Sequence, residues 1–257
     1  MIDLLIGEFK RTWVQTLRYP SEVIGGVVIL TAVFYGIFIG AQYISGSSGS
    51  FGDRLDSIVV GYVIWTLVVY IVNDIATNLQ TEARTGTLEQ VFLSPFGAPK
   101  VFLARAIASL TLRFLLILAV LAIIIAMTGS QIAFPPVLLL PLITLLLSAY
   151  GLAFFIGSFA LVLKKVQQVL SMFQFVLFFL LATPTEDWTG PARIVANILP
   201  ILPSTGLLRD LMARNQGLDW NRWVIALLNG MIYFTIGTLL FRWAEGQAKR
   251  QGTLGSY

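Results

Sequence analysis

Cysteine and histidine are both absent from this 257-residue chain. Their absence excludes disulfides, thiolate and imidazole metal sites, cysteine nucleophiles and histidine bases. No metal ligand set and no catalytic residue stands out. Charge is also scarce: 12% of the residues are Asp, Glu, Lys or Arg, where soluble domains carry roughly 25%. No stretch is polar enough to wrap a water-soluble core, and 57% of the residues are hydrophobic. The chain therefore reads as one membrane domain. Its formal charge of +4 comes from basic residues dispersed at the ends of apolar runs, which argues against nucleic acid as a partner.

What is present is a series of long apolar runs. A helix needs roughly 20 such residues to cross the hydrocarbon core, and residues 23–44, 57–79, 106–127, 136–163 and 223–241 each supply about that length. Residues 169–183 reach it only if 166–168 belong to the same helix. The expectation is an all-α integral membrane fold with six transmembrane helices. Ahead of them, residues 1–19 contain no continuous apolar run of the kind a cleaved leader has, so the N-terminus is expected to be retained. Ile2, Leu5, Ile6, Phe9, Trp13 and Leu17 fall on one helical stripe, which predicts an amphipathic helix in the membrane interface; a terminal helix packed on the bundle is the plainer alternative. Residues 184–222 are too broken by Pro191, Pro200 and Pro203 for a crossing. They are expected either to re-enter the membrane as short helices, with Asp210 and Arg214 as an i,i+4 pair, or to lie on its outer surface.

Six crossings place both termini on one side. That side carries Lys10, Arg11, Arg18, Arg84, Lys100, Arg105, Lys164, Lys165, Arg242, Lys249 and Arg250, against Arg54, Arg193, Arg209, Arg214 and Arg222 on the other. The excess predicts cytoplasmic termini.

The connection between spans two and three, residues 80–100, is the most informative stretch. Glu82 is followed by Gly86, Thr87, Leu88, Glu89 and Gln90, then by Ser94 and Pro95. Thr87 and Gln90 have capping-box spacing, in which the hydroxyl accepts an orphan backbone N–H and the glutamine reaches back. Gly86 permits a sharp turn before the cap, and Pro99 suits the first turn of the next helix. These residues make either a well-capped surface turn or a short docking helix. Val91, Phe92 and Leu93 in succession favour a buried contact.

Glu82, three residues, then Gly-Thr-Leu-Glu-Gln and a Ser-Pro resembles the signature of type-2 permeases of the ATP-binding-cassette (ABC) transporters. The six spans, the interfacial helix, the long connection before the last span and the tail from Arg250 to Gly255 are similar to the same family. The resemblance implies that Glu82, Gly86, Thr87, Leu88, Glu89 and Gln90 form a coupling helix that docks into a separate nucleotide-binding ATPase subunit. It also implies a second permease copy, most simply as a homodimer, with membrane lipid around it. The chain lacks a Gly-x-x-x-x-Gly-Lys-Ser/Thr phosphate loop, so ATP and Mg are expected on the partner and no cofactor on this chain. It is expected to be a transport subunit and not an enzyme, in the cytoplasmic (inner) membrane.

Asp74 and Arg113 lie within spans two and three, where charge is costly. They are a candidate charge pair; snorkelling of Arg113 to the headgroups is the alternative. Phe173, Phe175, Phe178 and Phe179 on span five either line a path for an apolar substrate or face lipid and bundle. Arg18-Tyr19-Pro20 looks more like the drug or lipid exporters of the family than the polysaccharide exporters. A polysaccharide or glycolipid exporter and an ion-coupled transporter remain the rival readings, the latter requiring carboxylates at mid-membrane.

Overall fold

The computed structural model describes residues 2–45, 51–85, 97–162 and 166–251. Among these the chain is helical, with no strand. Two helices come first, α1 (Ile2–Arg18) and α2 (Pro20–Ser45). Then come α3 (Phe51–Thr85), α4 (Ala98–Thr128) and α5 (Leu139–Val162). They are followed by α6 (Val166–Ala182), α7 (Pro191–Ile198), α8 (Leu202–Met212) and α9 (Trp220–Gln251).

Among the described residues, five helical stretches are long and apolar enough to cross a membrane: Val23–Gly40, Leu55–Glu82, Pro99–Thr128, Pro136–Phe159 and Trp220–Ala248. The remaining expected span, α6, has 17 residues, the lower limit of the roughly 17 to 25 that suffice. Its end is set by Pro184, whose ring disfavours the helical conformation of the residue before it. Three spans are longer than the apolar runs suggest, α9 among them, which continues past Phe241 to Gln251. Helix α3 continues through the polar residues from Gln80 to Thr85 because Leu79 and Glu82 turn toward the protein interior. Helix α4 begins at Ala98, eight residues before the apolar run, because Val101, Phe102 and Ala104 are buried. Pro99 occupies its first turn, and Gly129 closes it in the left-handed conformation (φ 71°), donating its N–H to the Ile125 carbonyl.

Helices α3 and α5 form the interior of the bundle, with Ile71, Ile75, Leu145, Ala149 and Phe154 fully buried between them and their neighbours. Helix α2 touches the bundle mainly through Phe34, which packs edge-on against Tyr62 at 5.2 Å. Val27, Leu30, Ile37 and Phe38 are half-buried beside it, and Ile24, Val28, Ile29, Val33 and Ile39 are exposed. Helices α5 and α9 make the closest approach. A Cβ on Gly151 would overlap the backbone of Tyr233 and Phe234, and one on Gly237 would overlap Gly151 itself. Only the absence of side chains lets the two backbones touch, the small-residue mode of helix association in membranes.

Side-chain contacts assign the helix ends to two faces. Glu8 of α1, Glu82 near the end of α3 and Arg105 near the start of α4 meet in one cluster. Phe102 stacks edge-on to Phe241 of α9 at 6.0 Å. This is the terminal face. At the other end, Glu186 and Asp187 meet Arg209 and Arg214, and Asp210 meets Arg222 at the start of α9.

Between α6 and α9 the chain makes a hairpin of short helices: α7 and α8 are bent by 100° at residues 199–201. Both ends of the hairpin lie at the opposite face, held by the contacts just named. Its tip reaches Ser148 of α5 and Asn229 of α9, each nine steps and roughly 14 Å into its helix. Non-helical backbone at such depth needs partners from the protein, and the tip has them. The Ile201 N–H donates to Ser148 Oγ (3.0 Å), which donates to Asn229 Oδ1 (3.2 Å). Asn229 Nδ2 donates to the carbonyls of Asn197, Ile198 and Leu199. Ile201 is fully buried at φ 74°, a left-handed conformation that costs a β-branched residue about 1–3 kcal/mol. Residues 184–222 thus turn back into the bundle in two short helices, α7 and α8.

Candidate functional site at the terminal face

Helix α3 runs directly into the segment that carries the family-like motif. Of the six expected coupling residues, Glu82 is described; Gly86, Thr87, Leu88, Glu89 and Gln90 lie outside the described residues. Glu82 is buried one turn before the end of α3. Arg105 Nη1 donates to its carboxylate at 2.6 Å. The same guanidinium lies 3.4 Å from Glu8 of α1 through Nε and through Nη2. One arginine therefore clamps three helices. Both carboxylates and the guanidinium are about one-tenth exposed, so the attraction is little screened and loss of one member leaves a buried charge.

Beside the clamp lies a cavity of about 390 Å³ bounded by α1, α2, α3 and α4, lined by Glu8, Arg11, Tyr19, Asp74, Arg105 and Arg113 among others. Asp74 and Arg113 both face it, yet they form no direct ion pair. The Asp74 carboxylate accepts from the Tyr70 hydroxyl (3.2 Å) and the Ser109 hydroxyl (2.9 Å). The Arg113 guanidinium stacks on the Tyr70 ring at 5.0 Å. Tyrosine stands between the expected partners because its ring offers the cation a face and its hydroxyl offers the anion a donor.

The four phenylalanines of α6 divide. Phe173 and Phe178 turn inward, Phe178 edge-on to Trp65 at 5.3 Å. Phe175 and Phe179 are exposed. The helix is also tied to α3 by polar contacts: Gln174 Nε2 donates to Asn73 Oδ1 (2.8 Å) and Trp65 Nε1 to the Gln174 carbonyl (3.3 Å).

One group escaped the sequence reading. Arg209 entered it as a loop charge, but the residue is 1% exposed. Its guanidinium donates to the carbonyls of Leu181 and Thr183 at the C-terminal end of α6 and to Glu186 Oε2 (3.1 Å). It fits because Gly61 of α3 leaves room: a Cβ there would stand 2.7 Å from Arg209 Nη2 and 2.9 Å from the Leu181 carbonyl. The only sequence signals are an arginine among Leu207, Leu208 and Leu211 and an acidic pair just after Pro184. Around this core the expected Asp210–Arg214 pair forms at 3.3 Å, and Arg222 reaches Asp210 at 2.5 Å.

Arg214 also donates twice to Asp187, at 2.8 and 2.7 Å, and these bonds hold the Asp187 carboxyl below the usual carboxylate range. A carboxyl lowered on folding contributes stability that is fully present above its unfolded pKa, about 3.9, and is lost as pH falls through the lower folded value. Asp187→Asn is therefore expected to lower the thermal midpoint slightly at pH 7, with the gap from wild type closing below about pH 4. Melting curves of both proteins in one detergent across that range check this; a gap that persists in acid would refute the pairing. The effect is small because Asp187 is more than half exposed.

No curated protein matches this sequence. The family model described as "ABC-2 family transporter protein" matches residues 31–244, a region that takes in most of α2 and α9 and every helix between them. With its long apolar helices, its hairpin between α6 and α9 and its clamp at the base of the motif-bearing segment, the chain belongs to the ABC-2 family of transporter membrane proteins.

Proposed function

We propose that the chain is the permease half of an exporter that moves a hydrophobic or amphipathic substrate, a drug or a lipid, out across the cytoplasmic membrane. Membership of the ABC-2 family makes it a transmembrane ABC transporter subunit that works with an ATPase subunit. In this reading both termini and residues 86–97 face the cytoplasm, two copies enclose the path, and ATP stays on the partner. Closure of the ATPase pushes on Gly86, Thr87, Leu88, Glu89 and Gln90. The push travels up α3 and through Arg105 into α4 and α1, so that three helices tilt together. The exposed Phe175 and Phe179 of α6 present an apolar wall to the substrate.

The observation that carries the proposal is the Glu8–Arg105–Glu82 clamp. A segment that merely turned the chain would not need its root fixed by a nearly buried three-charge cluster. An ion-coupled mechanism is less favoured, because Asp74 lies toward one face and has both oxygens held by hydroxyls.

The test is reconstitution with the ATPase that co-purifies with the tagged chain, followed by ATP-dependent movement of a fluorescent lipid or drug in vesicles. Arg105→Gln is expected to reduce transport about tenfold or more while the ATPase still binds. Absence of any co-purifying ATPase, or transport driven by an ion gradient without ATP, would sink the proposal.

A further inference from the structure

The 390 Å³ cavity at the terminal face falls in the size range of small-molecule sites, about 300–1,000 Å³. Its charges are unequally committed. Arg105 is occupied by Glu8 and Glu82, and Asp74 by two hydroxyls. Arg113 has no carboxylate of the described residues within ion-pair distance and stacks on Tyr70. Among the described carboxylates Arg11 approaches Glu8 alone, at 3.8 Å. Each guanidinium carries five N–H donors in a planar fork suited to a phosphate, so two cations with spare donors border one cavity.

Position selects the source of the anion. Arg113 lies eight residues, about 12 Å, deeper along α4 than Arg105. Side chains on a helix tilt toward its N-terminus, so that of Arg113 leans back toward the terminal face, where headgroups lie. Beyond the cavity, Ile24 and Val28 of α2 and Leu115 and Leu118 of α4 expose apolar surface along which acyl chains can lie. We infer that this cavity binds the phosphate of an anionic phospholipid from the leaflet at the terminal face, with Arg11 and Arg113 as its ligands. The site holds a resident lipid beside the clamp and is independent of what the transporter carries.

The test uses the full chain in mild detergent, with phosphatidylglycerol, phosphatidylcholine or inorganic phosphate added. Thermal midpoint and retained lipid by native mass spectrometry are the readouts. Phosphatidylglycerol is expected to raise the midpoint and remain bound where phosphatidylcholine does not. Loss of one guanidinium in R11Q or R113Q should weaken the apparent affinity about fivefold, and loss of both about 25-fold. Arg113→Lys should retain most of it, and Arg18→Gln, at an exposed arginine outside the cavity, should change nothing. Since Arg11 and Arg113 sit at the protein surface, the single variants are expected to fold even if the double does not. Equal shifts from the two lipids, or an R18Q loss as large as that of R113Q, would overturn the site. A full effect from inorganic phosphate alone would make it a free-anion site, and a larger shift from a quaternary ammonium amphiphile would assign recognition to Asp74; either result overturns the lipid assignment.

Discussion

Replacing Arg209 with methionine is expected to destabilise the fold by about 3 kcal/mol, the low end of the cost of breaking a buried ion pair, because Glu186 keeps Arg214 at 3.4 Å. Glu186 would lose its nearest cation, at 3.1 Å with both side chains almost wholly enclosed. The carbonyls of Leu181 and Thr183 would lose their donor, and each unsatisfied acceptor adds about 1–3 kcal/mol if water cannot reach it. Helix α6 would suffer most, since it is the shortest of the expected spans and this guanidinium neutralises the negative end of its dipole. The double variant Arg209→Met/Glu186→Gln should recover part of the loss, because it removes both charges and leaves only the carbonyls unpaired. Thermal midpoints and the monodisperse fraction of wild type, both single variants and the double variant decide the matter. If the double variant is no better than R209M, the ion pair is not the source of the cost.

Gly237→Val is expected to have an effect of similar size by a different route. The new side chain would occupy the space of the Gly151 backbone, so α5 and α9 must separate over their whole crossing. Overpacking alone costs about 1–3 kcal/mol. Here the displaced groups are backbone, which has no alternative rotamer, and the hydrogen-bonded tip between Ser148 and Asn229 lies on the same pair of helices. Gly36→Ala is the control. Nothing lies within 4 Å of a Cβ at that position, and alanine is the better helix former by about 1 kcal/mol, so this variant should be neutral or slightly more stable. A drop in Gly36→Ala comparable to that in Gly237→Val would show that the loss is not local to the crossing.

These two sites differ in how far they could be read in advance. The apolar runs marked the crossing helices because roughly 20 uncharged residues have few other stable environments. The Asp210–Arg214 pair was legible because helix geometry brings i and i+4 together whatever surrounds them. The same local rule shortened α3 and α4: it counted polarity per residue, whereas Glu82 and Arg105 are polar residues that neutralise each other across two helices. Asp74 and Arg113 line one cavity without a direct ion pair, and the tyrosine between them was not foreseen, since Tyr70 looks like one more interfacial aromatic. The glycines of α5 and α9 were visible as letters only. Other glycines, such as Gly25, Gly36 and Gly40 of α2 and Gly246 of α9, meet nothing, and sequence alone does not separate those from Gly61, Gly151 and Gly237.

By itself the sequence determined that this chain lives in a membrane, which apolar runs are long enough to cross it, where the polar motif-bearing connection falls, and to which transporter family it bears likeness. Those properties follow from composition, run length and spacings of a few residues, all of which act locally along the chain. The tertiary structure alone decided that Arg209 closes α6 through a slot left by Gly61, that Arg105 clamps Glu8 and Glu82, that the hairpin tip is held by Ser148 and Asn229, and that Arg11 and Arg113 share a cavity. Each of these joins residues far apart in sequence, and in a low-dielectric interior a charge or an open backbone group is tolerated only where such a partner is delivered by packing.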